Sequence, residues 1–289
     1  MNDKTWARAR ARPTRDRARV ALTAANARGR GTHAIATNAF AMHDVHAMTY
    51  VDAIRDVAAL VIVSASAYAW VRAFDVAARE KMIASTLSRK LAHITSGTLF
   101  CATWPLFSAS ADARALACVI PLAQGMRLFA YGVGFATNAN AVNAVSRGGG
   151  REELLKGPLY YTIVLFVCCA IFWRATPIGV VAVAMMCGGD GFADILGRKF
   201  GRGNPLPWNP TKSFAGSAGF VCGGFAVAGA LLAYYDALGM FDVDAATYAT
   251  TFFIACACAL VESLPVTDIV DDNFSVALTA IAIGMVMYA

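Results

Sequence analysis

Acidic, basic and glycine residues concentrate between Cys187 and Gly219, in the run CGGDGFADILGRKFGRGNPLPWNPTKSFAGSAG. Within it, Asp190 and Asp194 are four residues apart, which puts both carboxylates on one face of a helix, and Arg198 extends that face. Two carboxylates so placed can supply oxygen ligands to Mg²⁺ and leave positions for water and substrate phosphates. The run therefore predicts a metal site held by Asp190 and Asp194.

Residues suited to phosphate follow in the same run. Lys212 offers a point charge, Ser213 and Ser217 offer hydroxyls, and Gly216 allows backbone N–H groups to approach an anion. The pattern is not a P-loop, because Thr211 precedes the lysine, and the motif set of protein kinases is absent from the sequence. Acids followed by a lysine and glycines indicate a nucleotide site at a membrane surface.

A second acidic segment, ESLPVTDIVDDNFSVAL, begins at Glu262. Glu262 ends an apolar run, Pro265 breaks the helix after it, and Asp268, Asp271 and Asp272 follow. Residues 271–273 suit a helix N-cap, but capping does not explain Glu262. We predict that these acids form the second half of the metal site, within about 10 Å of Asp190 or Lys212, a distance at which charges still interact.

Polar residues also occur inside apolar segments, where they are candidates for function. His93 follows Arg89 and Lys90 near the start of one such segment, and this cationic group suits either a site or contact with lipid phosphate. Arg127 lies within another, and we expect it to bind either a substrate phosphate or one of the acids Asp194, Glu262 and Asp268. Lys156 precedes a helix start at Pro158 and is a further candidate for phosphate binding.

The composition predicts a membrane protein. The chain has 289 residues, of which 58% are hydrophobic and 15% charged, whereas soluble domains carry about 25% charged residues. The apolar residues form long blocks, which indicates an all-α polytopic membrane domain of six to eight helices over residues 50–289. The candidate spans are 57–74, 91–109, 115–135, 158–173, 175–189, 214–235, 246–264 and 274–289.

Residues 1–45 form a leader of different composition. Residues 1–36 hold eight arginines and one lysine against two aspartates, with no apolar core. This composition is typical of an organelle transit peptide, and a disordered basic tail is the alternative. Because the leader holds all of the net positive charge, the rest of the chain gives no indication of a nucleic-acid partner.

Four segments resemble the phytol kinases, a branch of the polyprenol kinase family that also includes farnesol and dolichol kinases. They are GDGFADILGRKFG (Gly189–Gly201), NPTKSFAGSAGF (Asn209–Phe220), ELLKGPLYY (Glu153–Tyr161) and ESLPVTDIVDDN (Glu262–Asn273). The resemblance implies that Asp190 and Asp194 bind metal. It also implies a nucleotide site formed by small and basic residues: Gly189, Gly191, Arg198, Lys199, Lys212, Ser213, Gly216 and Ser217.

The resemblance further implies a chloroplast membrane enzyme that uses CTP and Mg²⁺ to phosphorylate a prenyl alcohol. For phytol the product would be phytyl phosphate, which feeds tocopherol synthesis and recycles phytol released from chlorophyll. The hydrocarbon tail would enter from the bilayer, with the hydroxyl at the interface. The general base would be His93 or an acid of the second cluster, Glu262, Asp271 or Asp272. The sequence leaves open whether the alcohol is phytol, geranylgeraniol or farnesol.

Two functions other than that of a prenol kinase could use the same residues. A cytidylyltransferase would use the nucleotide site to join CTP to a lipid phosphate and release pyrophosphate. A small transporter would line its pathway with intramembrane charges such as Arg127 and Glu262. The polar residues gather in loops beside the spans, and no internal repeat is evident in the sequence, which favours an enzyme.

Overall fold

The computed structural model describes residues 49–136, 142, 146, 150–265 and 271–288. Nine α-helices lie in these residues: α1 Tyr50–Arg79, α2 Ser85–Thr103, α3 Ala111–Val133, α4 Gly157–Ile171, α5 Pro177–Ala184, α6 Asp190–Phe200, α7 Phe214–Ala237, α8 Ala245–Ser263 and α9 Asp272–Met287. A π-helical turn, Met185–Gly189, joins α5 and α6 into one continuous helix. The predicted all-α fold is confirmed. The leader, residues 1–45, lies outside the described residues and stays a prediction.

Local sequence explains where several helices begin. At the start of α1, the Thr49 hydroxyl accepts from the Asp52 N–H at 3.1 Å, and the Asp52 carboxylate accepts from the Thr49 N–H at 3.2 Å. This reciprocal capping box satisfies two N–H groups that have no partner inside the helix. Prolines stand in the first turns of α4 and α5, at Pro158 and Pro177, where the missing N–H costs nothing.

Six helical segments of the described chain are long and apolar enough to cross a membrane: α1, α3, α4 with the 3₁₀ turn Arg151–Leu155 before it, the continuous α5–α6 helix, α7 and α8. This number is the lower limit of the predicted range of six to eight. α9 is shorter, with 16 residues. The predicted span 91–109 differs from α2, which begins earlier and ends at Thr103, because Pro105 has no N–H for a further helical bond.

The continuous α5–α6 helix lies at the centre of the bundle. Every residue from 178 to 189 is buried, and none of them is charged. Helices α2, α4, α7 and α9 all contact this helix or its π-helical turn. A helix that is apolar on all sides is stable only when other elements surround it. Asp190 is the first charged residue after this buried stretch, so the fold carries a carboxylate into the bundle.

Helices α6 and α7 approach closely because α7 presents glycines to its neighbour. A Cβ added at Gly223 would lie 2.5 Å from Cβ of Phe192, and one at Gly219 would lie 2.9 Å from the Phe192 carbonyl oxygen. Small residues spaced along one face let the backbones of membrane helices pack together. The glycines of the Gly216–Gly224 region therefore have a packing role in addition to any role in binding.

A buried polar cluster ties α1 to the connection between α2 and α3. Asp56 is fully buried and accepts hydrogen bonds from the Ser108 N–H at 2.6 Å and the Ser108 hydroxyl at 2.7 Å. From the other side, the Arg174 guanidinium donates to the carbonyl oxygens of Phe107 at 3.1 Å and Ser108 at 2.5 Å. A buried charge is tolerated when its hydrogen bonds are made. This cluster fixes the end of the bundle formed by the α2–α3 connection.

A small antiparallel hairpin separates α6 from α7. Its strands are β1, Pro205–Leu206, and β2, Asn209–Ser213. The Trp208 indole N–H donates to the Ser263 hydroxyl at 3.2 Å, and the Asn209 amide donates to the Ser263 carbonyl oxygen at 3.2 Å. These bonds hold the hairpin against the C-terminal end of α8. They bring Lys212, which β2 carries, next to Glu262.

The close approach of α6 and α7 predicts different effects for two glycine substitutions in α7. We expect Gly223→Ala to lower the apparent melting temperature in detergent, because overpacking against the base of the Phe192 side chain costs about 1–3 kcal/mol. Gly229→Ala is the matched control, since the nearest atom to its added Cβ is 3.7 Å away. It should leave the temperature unchanged or raise it, because alanine favours helix by about 1 kcal/mol. Equal melting temperatures for both variants would contradict the packing role.

Candidate active site

Three carboxylates from distant parts of the sequence meet at one place. Asp190, Glu262 and Asp272 each direct a carboxylate oxygen to a common point, and these oxygens lie within 4.8 Å of one another. Asp190 begins α6, Glu262 lies at the end of α8, and Asp272 begins α9. The prediction that the second acidic segment lies within about 10 Å of Asp190 is confirmed for these two acids, at a range where charges interact strongly. Their chemical role stays a prediction.

Lys212 supplies the first positive charge to this carboxylate cluster. Its ammonium forms an ion pair with Glu262, and it lies 3.4 Å from an oxygen of Asp272. Burial lowers the pKa of Lys212, but the carboxylates of Glu262, Asp272 and Asp190 outweigh burial and hold the pKa above its usual value. Lys212 is therefore a permanent cation beside the three acids.

A second cation and an imidazole reach Asp190 from α2. The Lys90 ammonium donates to Asp190 Oδ2 at 2.9 Å, and His93 Nε2 lies 3.4 Å from the same oxygen. His93 Nε2 is also 3.2 Å from the carbonyl oxygen of Met186. Because a carbonyl oxygen only accepts, the Nε2 nitrogen carries the hydrogen. In the neutral ring the lone pair is then on Nδ1.

Tyr161 on α4 holds α2 in this position. Its ring lies against the His93 imidazole, with 4.6 Å between the ring centroids. Its hydroxyl donates to the His93 carbonyl oxygen at 3.0 Å and lies 2.9 Å from the Ser96 hydroxyl. Sequence reasoning named no role for Ser96 or Tyr161 in a site, and it placed Lys90 only in a cationic group suited either to a site or to contact with lipid phosphate. The three-residue spacing of Lys90 and His93 on one helix face, and Tyr161 in the segment ELLKGPLYY, were the available signals.

Two buried oxygens at the cluster have no hydrogen-bond partner among the described residues: Oδ1 of Asp272 and Oδ1 of Asn273. Buried polar atoms are nearly always paired, so an unpaired oxygen indicates a place for a ligand or ion. Burial raises the pKa of Asp272 to about 6, with Lys212 opposing and Asp190 and Glu262 reinforcing this increase. Three carboxylates against two lysines leave an excess negative charge, and oxygen donors suit a hard divalent cation.

Asp194 lies outside the carboxylate cluster. It is one turn beyond Asp190 on α6, and its carboxylate pairs with Arg198 at 2.8 Å. The predicted metal pair of Asp190 and Asp194 is thus joined in the fold by two other acids that lie nearer to Asp190. Asp194 as a ligand stays a prediction. Lys199 follows Arg198, with its ammonium 5.1 Å above the Phe200 ring.

The residues predicted for phosphate binding have visible structural roles. The Ser213 hydroxyl caps α7 by accepting from the Gly216 N–H at 3.1 Å. The Ser217 hydroxyl is buried, with no partner among the described residues. Gly189 and Gly191 are buried where α6 packs on α7 and α2, since an added Cβ would meet Phe220 or Ile94 respectively. Nucleotide binding by these residues stays a prediction.

Asp271 is the N-cap of α9, as the capping interpretation of the sequence indicates. Its carboxylate accepts from the backbone N–H of Asn273 at 3.0 Å and from the Asn273 side-chain amide at 2.7 Å. Asp272, the next residue, instead joins the carboxylate cluster. The two adjacent acids therefore have different roles in the fold. Asp268 lies outside the described residues.

A large cavity opens beside Asp190. It has a volume of about 1070 Å³, lies between α1, α2, α3 and α4, and is lined at one end by Lys90, His93 and Asp190. Arg127 and Lys156 line the same cavity. Of the predicted partners of Arg127, Asp194 pairs with Arg198 and Glu262 with Lys212, whereas Arg127 has no hydrogen-bond or ion-pair partner in the described part of the chain. A substrate phosphate and Asp268, which lies outside the described residues, both remain as its predicted partners.

Comparisons with known proteins agree on one family. The chain is 45% identical over 236 residues to the probable chloroplastic phytol kinase of Triticum aestivum, covering 81% of this chain and 78% of the relative. It is 45% identical over 229 residues to phytol kinase 1 of Arabidopsis thaliana, covering 79% and 75%. It is 38% identical over 202 residues to the farnesol kinase of Arabidopsis thaliana, covering 70% and 66%.

No family model and no solved structure matches the chain. The three relatives are all named as chloroplastic, and six helical segments of the described chain are long and apolar enough to span a bilayer. Both findings agree with the predicted multi-pass protein of a chloroplast membrane. With this level of identity over about four fifths of its length, the chain belongs to the plant phytol kinase family.

Proposed function

We propose that the protein transfers the γ-phosphoryl group of CTP to the hydroxyl of phytol or a related prenol. One observation carries the proposal: a cluster of acids and lysines lies at the end of a large cavity between apolar helices. Such a site can hold a charged phosphate donor at one end and a lipid tail at the other. The names of the relatives, phytol kinase and farnesol kinase, support a prenol as the acceptor.

The basic residues would bind and orient the phosphates. Phosphoryl transfer requires mainly that the two reactants are positioned and that spreading negative charge is neutralised. Lys90 and Lys212 reach the carboxylate cluster from α2 and from β2, each within ion-pair distance of an acid. Arg127 and Lys156 reach the cavity from α3 and from the residue before α4. Together these side chains would attract the donor and hold the phosphorylated product.

Asp190, Glu262 and Asp272 would hold a divalent cation such as Mg²⁺. The spacing of their oxygens, the unpaired buried Oδ1 of Asp272 and the excess of acids over lysines support this donor set. When bound, the cation would supply charge neutralisation to the donor phosphates. The same acids hold Lys212 and Lys90 in place, so removal of one acid would also release a lysine.

His93 would act as the general base. Its Nε2 hydrogen points to Met186 and Asp190, which leaves Nδ1 to accept a proton, and the residue lines the cavity. The prenol hydroxyl would give its proton to Nδ1 as its oxygen bonds to the γ-phosphorus. The bond from that phosphorus to the bridging oxygen would break, releasing CDP. Asp271, which also lines the cavity, is the alternative base from the second acidic segment.

The choice of CTP rests on the resemblance of the four motifs to polyprenol kinases. In a chloroplast membrane, the reaction would convert phytol released from chlorophyll into phytyl phosphate for tocopherol synthesis. We expect γ-labelled CTP to transfer its label to the prenyl product in an assay with membranes that contain the full chain. Label from α-labelled CTP in the lipid product would instead indicate a cytidylyltransferase, and preference for another nucleotide would contradict the choice of donor.

Substitutions of two aspartates on α6 distinguish the two candidate sets of metal ligands. One set is Asp190 with Asp194, and the other is Asp190 with Glu262 and Asp272. We expect Asp190→Asn to lower kcat by about 100-fold or more, because a carboxylate that would hold the divalent cation and Lys90 is lost. Asp194→Asn is the control on the same helix, and we expect a much smaller loss because its carboxylate pairs with Arg198 outside the cluster. The measurement is kcat at saturating Mg²⁺, with membrane insertion verified. Equal losses would favour the pair Asp190 and Asp194 as ligands.

Two lysines permit a similar comparison for phosphate binding. Lys212→Met removes a cation that is bonded to Glu262 and near Asp272, so we expect a loss of kcat/KM of about 100-fold. Lys81→Met removes an exposed lysine between α1 and α2 that does not line the cavity, and we expect a change of less than about threefold. Initial rates with varied CTP provide both values. A Lys212→Met variant with wild-type kcat/KM would overturn the assignment of Lys212.

A further inference from the structure

The cavity beside Asp190 changes from polar to apolar along α2. At its polar end α2 contributes Lys90 and His93, and farther along it contributes Leu99, Phe100 and Thr103. From His93 to Thr103 is ten residues of helix, or about 15 Å at 1.5 Å per residue. The cavity therefore extends well beyond the carboxylate cluster into the bundle.

The neighbouring helices show the same gradient. On α3, Gln124 and Arg127 line the polar end, whereas Val119 and Ile120 line the part toward the α2–α3 connection. On α1, Val63 lines this far part. Helix α1 runs antiparallel to α2, because Asp56 bonds Ser108 after the end of α2. Helices α2 and α3 thus present charge to one end of the cavity, and all three helices present hydrocarbon to the other.

Aromatic packing backs the apolar part of the cavity. The Phe100 ring lines the cavity and packs edge-on against Trp104, with 5.9 Å between centroids. Trp104 is fully buried and packs against Trp173 at 5.3 Å, and neither of them lines the cavity. The Phe100–Trp104 pair therefore forms a packed side wall of the apolar part, and Thr103 lines the cavity one turn farther from His93.

We infer that this cavity holds the hydrocarbon chain of the acceptor prenol and that the bulk of the residues lining its apolar part, Ala67 and Phe100 among them, sets the chain length preferred. The inference rests on the proposed function and extends it to the location of the tail. The hydroxyl lies at His93 and Asp190, and the isoprenoid units extend past Phe100 toward Thr103. At about 1070 Å³ the cavity is as large as the largest usual ligand pockets, which suits an extended diterpenol. A shorter sesquiterpenol leaves its apolar end unfilled and gains less from burial.

Ala67 on α1 provides a position between the two ends. It lines the cavity one turn before Trp70, whose indole N–H donates to the Thr95 hydroxyl at 2.8 Å. Since the two helices are antiparallel, Ala67 lies beyond the level of Thr95, toward Phe100. A phenylalanine at this position shortens the space for the tail without touching the carboxylate cluster. Ala65 is exposed on the same helix and does not line the cavity, so it provides a matched control.

The test measures kcat/KM of the full-length protein in membranes for phytol, geranylgeraniol and farnesol. We expect Ala67→Phe to lower the diterpenol-to-farnesol ratio of kcat/KM by about tenfold or more, as expected when a pocket loses room for apolar groups. Ala65→Phe should leave the ratio within about twofold of wild type, because it adds bulk outside the cavity. An unchanged ratio in an active Ala67→Phe protein overturns this inference and leaves the proposed function intact. A wild type that phosphorylates no prenol overturns both.

A second measurement does not depend on turnover. Geranylgeraniol with a photoreactive diazirine at its hydrocarbon end is bound to the wild-type protein, irradiated, and the labelled peptides are identified by mass spectrometry. We expect labelling of the α1 and α2 peptides that contain Val63 and Phe100 and competition by unlabelled phytol. Labelling confined to helices outside the cavity, such as α8, overturns the inference even if Ala67→Phe is inactive.

Discussion

The structure depends on neutralising carboxylates that the helices carry into the bundle. Asp190 follows a fully buried helical stretch, and Glu262 ends an apolar helix with its side chain buried. An isolated carboxylate in such surroundings is costly, and here Lys90 and Lys212 supply the opposite charges. Because the two lysines come from α2 and from the β-hairpin, the requirement for neutrality brings four separate segments together. The same ion pairs that lower the cost of burying these carboxylates also create a polar site that is suited to chemistry.

Close helix packing determines where this site can lie. The π-helical turn Met185–Gly189 stands directly before Asp190, and such turns frequently occur at functional sites. The glycines of α7 let α6 approach, and the hairpin between these two helices is bonded to the end of α8. Lys212 is therefore positioned by the hairpin that carries it, which the Trp208 and Asn209 side chains anchor to Ser263. A site on packed elements holds reacting groups more accurately than one on a free loop.

The cavity gives the polar cluster access to a lipid. Its charged end includes His93 and Asp190, and its apolar end includes Phe100 and Thr103. The buried Asp56 and its serine partners hold α1 to the α2–α3 connection beyond that end. An amphipathic prenol matches this arrangement because its single hydroxyl and long tail need opposite surroundings. Membership of the phytol kinase family agrees with this chemistry.

Much of the fold and part of the candidate site were determined by the sequence itself. Long apolar blocks specify membrane helices, prolines mark their ends, and the acids near 190 and 262 point to the candidate site, since these signals depend on local composition. Only the tertiary structure decided which acids meet. Spacing paired Asp190 with Asp194, yet helix packing brings Glu262 and Asp272 closer, because the α7–α8 hairpin and α9 return the chain to Asp190. Lys90 and the cavity likewise arise from contacts across some hundred residues, which no local pattern encodes.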